Sequence, residues 1–501
     1  MGNSNQEFSV AIIGAGFAGI CTALRLKRAG FDNFAIFESS NELGGTWRDN
    51  TYPGCACDVP SHLYSFSFEP SADWPEVYSG YEDIHNYLKN VSDKHNLRPY
   101  IRFNKRVEEL RFDENRVLWT LTTSDGETYT ANVIISGTGP LNKPAIPELP
   151  GIEKFRGKKF HSSHWDHQFK LEGQRIAAIG TGASAVQYVP AIAPKVSELY
   201  VFQRTPTWVV PRMNRRYTQI EKALLKWVPG LRWIYRNVQY WYREYMGLGF
   251  TGSERMNRGF EKLARWHLKR QVNDEATREK LTPSYQIGCK RVNVSDAYLP
   301  AFNRDNVELV VESISAVTEN GVVTSDGKER EVDAIIYGTG FITTEFLQPM
   351  KVYGVGGAEI SDSWNGRFAT YLGISVSGFP NYFLLLGPNT GLGHNSVVFM
   401  IEAQVNYVLQ AIEQLRQGQL DGFDVKREVQ EDFQTWAHER LAQMTWSSGC
   451  KSWYLTAEGE NYAIWPGLTV SYWRRTRQFD PSVYTALIAT EISSDDEQLA
   501  A

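Results

Sequence analysis

The stretch Val10-Ala11-Ile12-Ile13-Gly14-Ala15-Gly16-Phe17-Ala18-Gly19 is a short apolar run of β-branched character that breaks into a Gly-x-Gly-x-x-Gly turn. Ile20 to Ala29 continues with helical periodicity to Gly30, and past Asp32-Asn33 a second strand, Phe34-Ala35-Ile36-Phe37, ends on Glu38. This is a β-turn-α-β unit with an acid 19 residues beyond the third glycine, the arrangement that holds a dinucleotide. Gly14 permits the tight turn, Gly16 lets a pyrophosphate approach the backbone, and Gly19 lets helix and strand pack closely. The helix N-terminus offers unpaired N–H groups and a positive dipole end to the phosphates, and Glu38 can accept hydrogen bonds from ribose hydroxyls.

The pattern returns 166 residues later. Arg175-Ile176-Ala177-Ala178-Ile179 reads as a strand, Gly180-Thr181-Gly182-Ala183-Ser184-Ala185 as the turn, and Val186 onward as a helix. A second strand, Leu199-Tyr200-Val201-Phe202, ends at Gln203-Arg204-Thr205. Where the first unit carries Glu38, the second carries Arg204, a cation suited to a 2′-phosphate, so this site is expected to prefer NADPH over NADH. Two further runs, Val133 to Gly139 and Asp333 to Phe341, are buried strands closing on Gly-Thr-Gly turns, each placed where the chain would leave a nucleotide unit.

Composition sets the outer limits. The chain has 501 residues, which a prior of ~150 residues per domain divides into about three. Apolar residues make up 42% and charged residues 22%, a globular balance. The net charge of -5 leaves no basic excess for a nucleic acid partner. Five cysteines without regular spacing speak against a disulfide scaffold and for a reducing compartment. The start has no basic n-region, and Gln6 stands where myristoylation needs Ser or Thr. No run of ~18 apolar residues could span a bilayer. The expected location is the cytoplasm, with Ser493-Ser494-Asp495-Asp496-Glu497 as a frayed acidic tail.

Residues 215–285 differ in character, with few turn signals and many helix formers. Within 223–251, Trp227, Trp233, Tyr235, Tyr240, Trp241, Tyr242, Tyr245 and Phe250 alternate with Lys226, Arg232, Arg236 and Arg243. One reading is a helical insertion packed on the nucleotide units; others are a wall of a substrate tunnel, a dimer contact or a membrane-surface contact. Farther on, Tyr382 to Gly391 is a buried strand that breaks into Gly387-Pro388-Asn389, followed by a helix from Ser396 to Leu415. That helix could return the chain to the first unit, with its N-terminus by a flavin ring. The aromatic segment from Trp453-Tyr454 to Tyr472-Trp473 is expected to cover the site.

Glu42-Leu43-Gly44-Gly45-Thr46-Trp47 follows the first unit where flavoenzymes contact the flavin. Disulfide reductases carry a redox cysteine pair soon after an equivalent Gly-Gly-Thr, but Cys55-Ala56-Cys57 has the wrong spacing, so thiol–disulfide chemistry is disfavoured. The nine histidines form no metal-ligand cluster, and no Gly-x-Ser-x-Gly elbow exists. Between the two units lies Phe155-Arg156-Gly157-Lys158-Lys159-Phe160-His161-Ser162-Ser163-His164-Trp165-Asp166. This resembles the Phe-x-Gly-x-x-x-His-x-x-x-Trp fingerprint of Baeyer–Villiger monooxygenases, with every fixed position filled and Asp166 at the position that follows it. The resemblance extends over essentially the whole chain.

It implies an α/β fold of two Rossmann-like dinucleotide-binding domains, for FAD and NADP, with a helical insertion. The FAD domain would be 1–145 with 375–501, the NADP domain 150–215 with 285–370, and the insertion 216–284. It implies FAD reduced by NADPH, O2 added at flavin C4a to give a peroxyflavin, NADP+ retained to shield it, and attack on an apolar ketone that rearranges to an ester or lactone. On the side of the first unit it implies cofactor contacts at Gly14, Gly16, Phe17, Gly19, Glu38, Thr46, Trp47, Asp58, Tyr64 and Val107. On the side of the second they are Gly180, Thr181, Gly182, Ala183, Ser184, Ala185, Gln203, Arg204, Thr205, Lys290 and Arg291. The Lys290-Arg291 pair ahead of Phe302-Asn303-Arg304-Asp305-Asn306-Val307 matches the family, whose active-site cation is that Arg. The role carries over to Arg291, with Asp58 as its anionic partner, and His161 is expected to order a hinge rather than move protons. Two other activities fit the scaffold: N- or S-oxygenation, against which Trp165-Asp166 speaks, and a reductive flavoprotein, against which Asp58, Lys290 and Arg291 speak. The oligomeric state and the ketone are not written in the motifs.

Overall fold

A computed structural model describes residues 8–490; the acidic tail expected at 493–497 lies outside them. Val10–Ile13 is buried along its length and is flanked on both sides by parallel strands, Phe34–Phe37 and Val133–Ser136. The sheet continues to Ile101–Arg102 on one side and Tyr382–Leu384 on the other, all parallel. In chain order its strands lie 5-4-1-2-3, the doubly wound order with its switch point between the first and fourth strands. Strands buried on both faces must be apolar throughout, which is why each reads as an unbroken run rather than an alternation.

The second sheet repeats the plan. Val307–Val310, Glu198–Phe202, Arg175–Ile179 and Ala334–Tyr337 lie side by side in that order, all parallel, and Lys158–His161 adds an edge strand. Its switch point falls between Arg175–Ile179 and Ala334–Tyr337. Each unit also carries a three-stranded antiparallel meander, at Val107–Asp113, Leu118–Thr123 and Thr128–Ala131 just before Val133–Ser136 in the first and at Ile314–Val317, Gly321–Thr324 and Glu329–Glu331 just before Ala334–Tyr337 in the second.

Helices Gln219–Trp227, Leu231–Thr251, Glu254–Gln271 and Glu275–Leu281 form the insertion. Polar caps fix three of the starts. Thr218 and Glu221 form a reciprocal capping box, Ser253 accepts from Met256 N and Asp274 from Thr277 N.

The return to the first unit comes earlier than residue 375. Lys351–Tyr353 pairs in parallel with Glu109–Arg111, and Phe346, Leu347, Met350 and Val352 share a core with Ala11, Ile13 and Phe37. This stretch is too short and too broken by Pro349 and Gly354 to signal its partner from sequence. The expectation of reduced thiols is also corrected: Cys289 and Cys450, 161 positions apart, form a disulfide, while Cys21, Cys55 and Cys57 stay free and buried.

Two chain crossings join the sheets, and they run against each other. Ala145 N donates to Gly340 O (2.9 Å) and Ile342 N to Lys143 O (2.8 Å). Beside them, Gln187 on the helix Ala183–Ile192 accepts from Tyr52 Oη (2.9 Å) and Ala56 N (3.2 Å) and donates to Ala56 O (2.9 Å).

Candidate active site

Both switch points are cradles that only a minimal backbone can form. Gly14 has φ +94°, and a Cβ there would stand 2.8 Å from Gly137 O; Gly180 has φ +108°, and its Cβ would stand 2.4 Å from Gly338 O. Helices Phe17–Arg28 and Ala183–Ile192 begin at Gly16 and Gly182 with no side-chain cap, so their first N–H groups face the crevice unclaimed by any side chain. Both cradles fit a pyrophosphate.

Around the first cradle, the backbones of Gly16 and Gly45 approach so closely that a Cβ on Gly45 would stand 3.2 Å from Gly16 Cα. Thr46–Asp49 is a short helix that carries Trp47 inward. Trp47 Nε1 donates to Tyr64 Oη (3.2 Å), and Tyr64 packs edge-on to Phe17 at 5.2 Å. Phe17, Trp47 and Tyr64 thus form one cluster. Glu38 is 4% exposed and wired into the turn: it accepts from Ala15 N (2.9 Å), Ser40 N (2.9 Å) and Arg48 Nη1 (2.9 Å). Val107 lies buried at the start of its strand, near Glu38 through the Lys105 N–Glu38 O bond (2.9 Å).

Around the second cradle, Thr181 Oγ1 donates to Thr205 O (2.9 Å), while Ser184 lies half-buried beside the wholly buried Ala185. The Gln203 amide donates to Lys280 O (2.7 Å), but its buried Oε1 has no partner. Arg204 is exposed, and neither it nor Lys290 has a carboxylate partner among the described residues. Burial lowers the Lys290 pKa and the nearby Arg204 charge lowers it further. Two cations that repel each other across an open site fit a phosphate monoester placed between them.

Asp58 and Arg291, 233 positions apart, meet where the units face each other. Arg291 Nε donates to Asp58 Oδ2 at 3.0 Å, Nη2 donates to the same oxygen, and Nη1 donates to Leu392 O at 3.3 Å. Burial acts to raise the Asp58 pKa, but the guanidinium outweighs it and holds the carboxyl below its usual range; Asp58 in turn pushes the Arg291 pKa up. The side chains remain 27% and 32% exposed, so the charge is oriented yet accessible.

Several neighbours carry no motif of their own. The Tyr454 phenol lies fully buried beside Arg291, in the aromatic segment expected to cover the site. Arg243 Nη2 donates to Asp58 O (3.2 Å), and Arg212 Nη2 to Cys57 O (2.9 Å), fixing the loop that bears Asp58. In the sequence Arg243 is marked only as a charge among the aromatics of the insertion. Burial pushes the Cys55 thiol up to about 12, and Cys57 higher still, so neither is a thiolate at neutral pH.

The fingerprint sits at the seam. Phe155 is buried, and a Cβ on Gly157 would stand 2.5 Å from Asp333 O. His161 ends the edge strand beside Phe341 of the crossing, ring centroids 5.6 Å apart, and its Nδ1 accepts from Ser163 N (3.2 Å). Burial lowers its pKa to about 4, leaving a neutral ring at pH 7. Trp165 packs on Tyr188 of the second unit's helix, and Asp166 accepts from Gln168 N (3.0 Å).

A family model described as flavin-binding monooxygenase-like matches residues 7–225. A Baeyer–Villiger monooxygenase of Pseudomonas aeruginosa is 45% identical over 481 residues, covering 96% of this chain and 91% of that protein. One from Streptomyces coelicolor is 43% identical over 485 residues, covering 96% and 93%. Among solved structures, an oxidized steroid monooxygenase bound to NADP superposes with TM-score 0.86 at 28% identity, covering 96% of this chain and all of that one. The closed form of cyclohexanone monooxygenase gives 0.84 at 28%, covering 94% and 96%. Likeness this complete, spanning both nucleotide cradles and the seam between them, settles the matter of kinship: the chain belongs to the Baeyer–Villiger monooxygenases and is an FAD- and NADPH-dependent oxidoreductase.

Proposed function

We propose that Arg291, oriented by Asp58, is the cation that stabilises the negative charge developing on oxygen while a small apolar ketone is converted to an ester or lactone. The observation that carries this reading is the Asp58–Arg291 pair itself, a partly open guanidinium at the junction of two nucleotide cradles. A guanidinium stays charged at any working pH and has several donors, so it can serve an anionic oxygen and the nicotinamide nucleotide at once. FAD would lie on Gly14, Gly16 and Gly19 with its ring toward Trp47 and Tyr64, and when bound supplies the two-electron and oxygen chemistry. NADPH would lie on Gly180, Gly182 and the helix that follows, with Arg204, helped by Thr205 and Lys290, on its 2′-phosphate. Tyr454 and the Leu392 carbonyl would confine the guanidinium, and the buried aromatics around them would exclude water from the reacting atoms. His161 would order the crossing between the units.

Product analysis with linear, cyclic and aryl ketones and a thioether tests the reading. The wild-type enzyme should add one oxygen to a ketone and give an ester or lactone. Arg291→Ala should retain flavin and still be reduced by NADPH, yet lose ester formation by on the order of 10²–10³-fold or more. Asp58→Ala should be impaired in the same direction, less completely. Near wild-type conversion of a good ketone by Arg291→Ala would overturn the assignment, and sulfoxide without ester would favour heteroatom oxygenation.

A further inference from the structure

The helix Leu231–Thr251 is built inside out for a water-facing helix. Its charges point inward: Arg236 Nη1 donates to the carbonyls of His62 (2.7 Å) and Ser65 (2.9 Å). Arg243 reaches the Asp58 carbonyl (3.2 Å), and Glu244, 2% exposed, accepts from Asn395 Nδ2 (2.8 Å) and Val470 N (3.1 Å). The helix lies so close to the loop beneath that a Cβ on Gly247 would stand 2.5 Å from the His394 ring. The opposite half, by contrast, presents Trp233, Ile234, Val238, Trp241, Tyr245 and Leu248 to solvent at three- and four-residue spacing. Trp233 is 69% exposed and Trp241 56%. An ordinary surface helix reverses this arrangement.

The neighbouring helices extend the face and add positive charge beside it. Gln219–Trp227 exposes Ile220, Leu224 and Trp227, the last at 75%. Lys226 Nζ lies 5.6 Å from the Trp227 ring, and Arg270 lies 5.4 Å from the exposed Trp266 ring. Over 219–271 there are 11 Lys and Arg against 4 Asp and Glu, although the whole chain is -5. Of these, the exposed cations are Lys226 and six on Glu254–Gln271, whereas Glu254 is the one exposed acid.

We propose that this face docks on the surface of a bilayer containing anionic phospholipid. Exposed tryptophan and tyrosine with aliphatic neighbours suit the headgroup–acyl boundary, and lysine and arginine can lay their stems along it with their charges at the headgroups. No helix among the described residues is long and apolar enough to cross, so the helix lies in the interface plane. A second copy is the poorer occupant, because two-fold pairing would set these cations against one another. An anionic lipid surface complements it. The inference is independent of the role given to Arg291.

The test is co-sedimentation of the flavin-loaded enzyme with vesicles of phosphatidylcholine and phosphatidylglycerol in equal parts, and with phosphatidylcholine alone. The anionic vesicles should bind at least about tenfold more tightly, with binding weakened by salt and tryptophan fluorescence quenched by brominated acyl chains. The triple variant Trp233→Gln, Val238→Gln, Trp241→Gln should lose at least about tenfold in binding while keeping its flavin spectrum and its rate of reduction by NADPH. Lys262→Glu with Lys269→Glu should abolish the preference for anionic lipid. Failure of the wild-type protein to bind, or equal binding to both vesicles, overturns the proposal. A concentration-dependent dimer that the triple variant dissociates also overturns it, because a second copy then covers the face.

Discussion

The two dinucleotide cradles share a strand order and a glycine turn but are finished differently. In the first, the third glycine is indispensable: a Cβ on Gly19 would stand 1.9 Å from Gly14 O. In the second, that place is filled by Ala185, wholly buried, and the close contact passes to Gly338, whose Cβ would stand 3.2 Å from that of Ala185. The charged residue at the end of the second strand differs as well. Glu38 is buried and bonded to the turn it serves, whereas Arg204 stands exposed with no carboxylate to hold it. One cradle is closed in on itself by the protein, which suits the flavin we propose for it. The other leaves its recognition groups unspent, which suits the exchanging NADPH we propose for it.

The sharpest way to break this comparison is to exchange the third positions. Gly19→Ala should yield protein that is insoluble or purifies without visible flavin absorbance, since the new methyl meets backbone that cannot yield. Ala185→Gly should keep both cofactors and lose stability only by about 0.5–1 kcal/mol, the helix cost of glycine. Normal flavin content in Gly19→Ala would remove the asymmetry.

A smaller effect probes the charges. Arg204→Ala should raise the KM for NADPH more than about tenfold, corresponding to ~1.5–3 kcal/mol for a charged phosphate contact, and leave that for NADH almost unchanged. Equal losses with both nucleotides would show that Arg204 does not read the 2′-phosphate.

The smallest effect is read from pH. His161 is neutral in the fold, with its pKa lowered by burial to about 4, while an unfolded histidine titrates near ~6.5. The unfolded chain therefore takes up the proton first as pH falls. The stability that His161 contributes is complete above about 6.5 and is lost progressively down to about 4. His161→Gln should flatten that part of the acid-side fall in Tm by a few degrees. An unchanged slope would mean that the imidazole is not withheld from solvent protons.

How much of this could be read from sequence follows from how local each signal is. Both cradles were legible because turn glycines, apolar strands and the residue after the second strand all lie within one short segment. The insertion was legible as helix but not in orientation. Trp233 and Arg236 look alike to a periodicity argument, and only the fold tells which one faces the carbonyls of His62 and Ser65. The Arg291 and Asp58 assignments came from resemblance, because no local pattern links residues 233 positions apart. Tyr454, the Leu392 carbonyl and the Gln187 bonds had no signal beyond lying in aromatic or glycine-rich stretches. The Cys289–Cys450 link went unseen because pairing over 161 positions leaves no spacing to count.

The paired crossings at 143–145 and 340–342 have a mechanical consequence. Two antiparallel strands tied by hydrogen bonds resist stretching and shear but yield readily to twist about their common length. The sheets are thus joined by a short two-stranded axle, and His161 bears against it through Phe341. Gln187 ties Tyr52 and Ala56 of the first unit to the helix of the second. A rotation that parts the cradles would have to open the Gln187 bonds together with the Arg212–Cys57 and Arg291–Asp58 contacts while the axle stays whole, so opening is resisted by a set of polar clasps rather than by the crossings themselves.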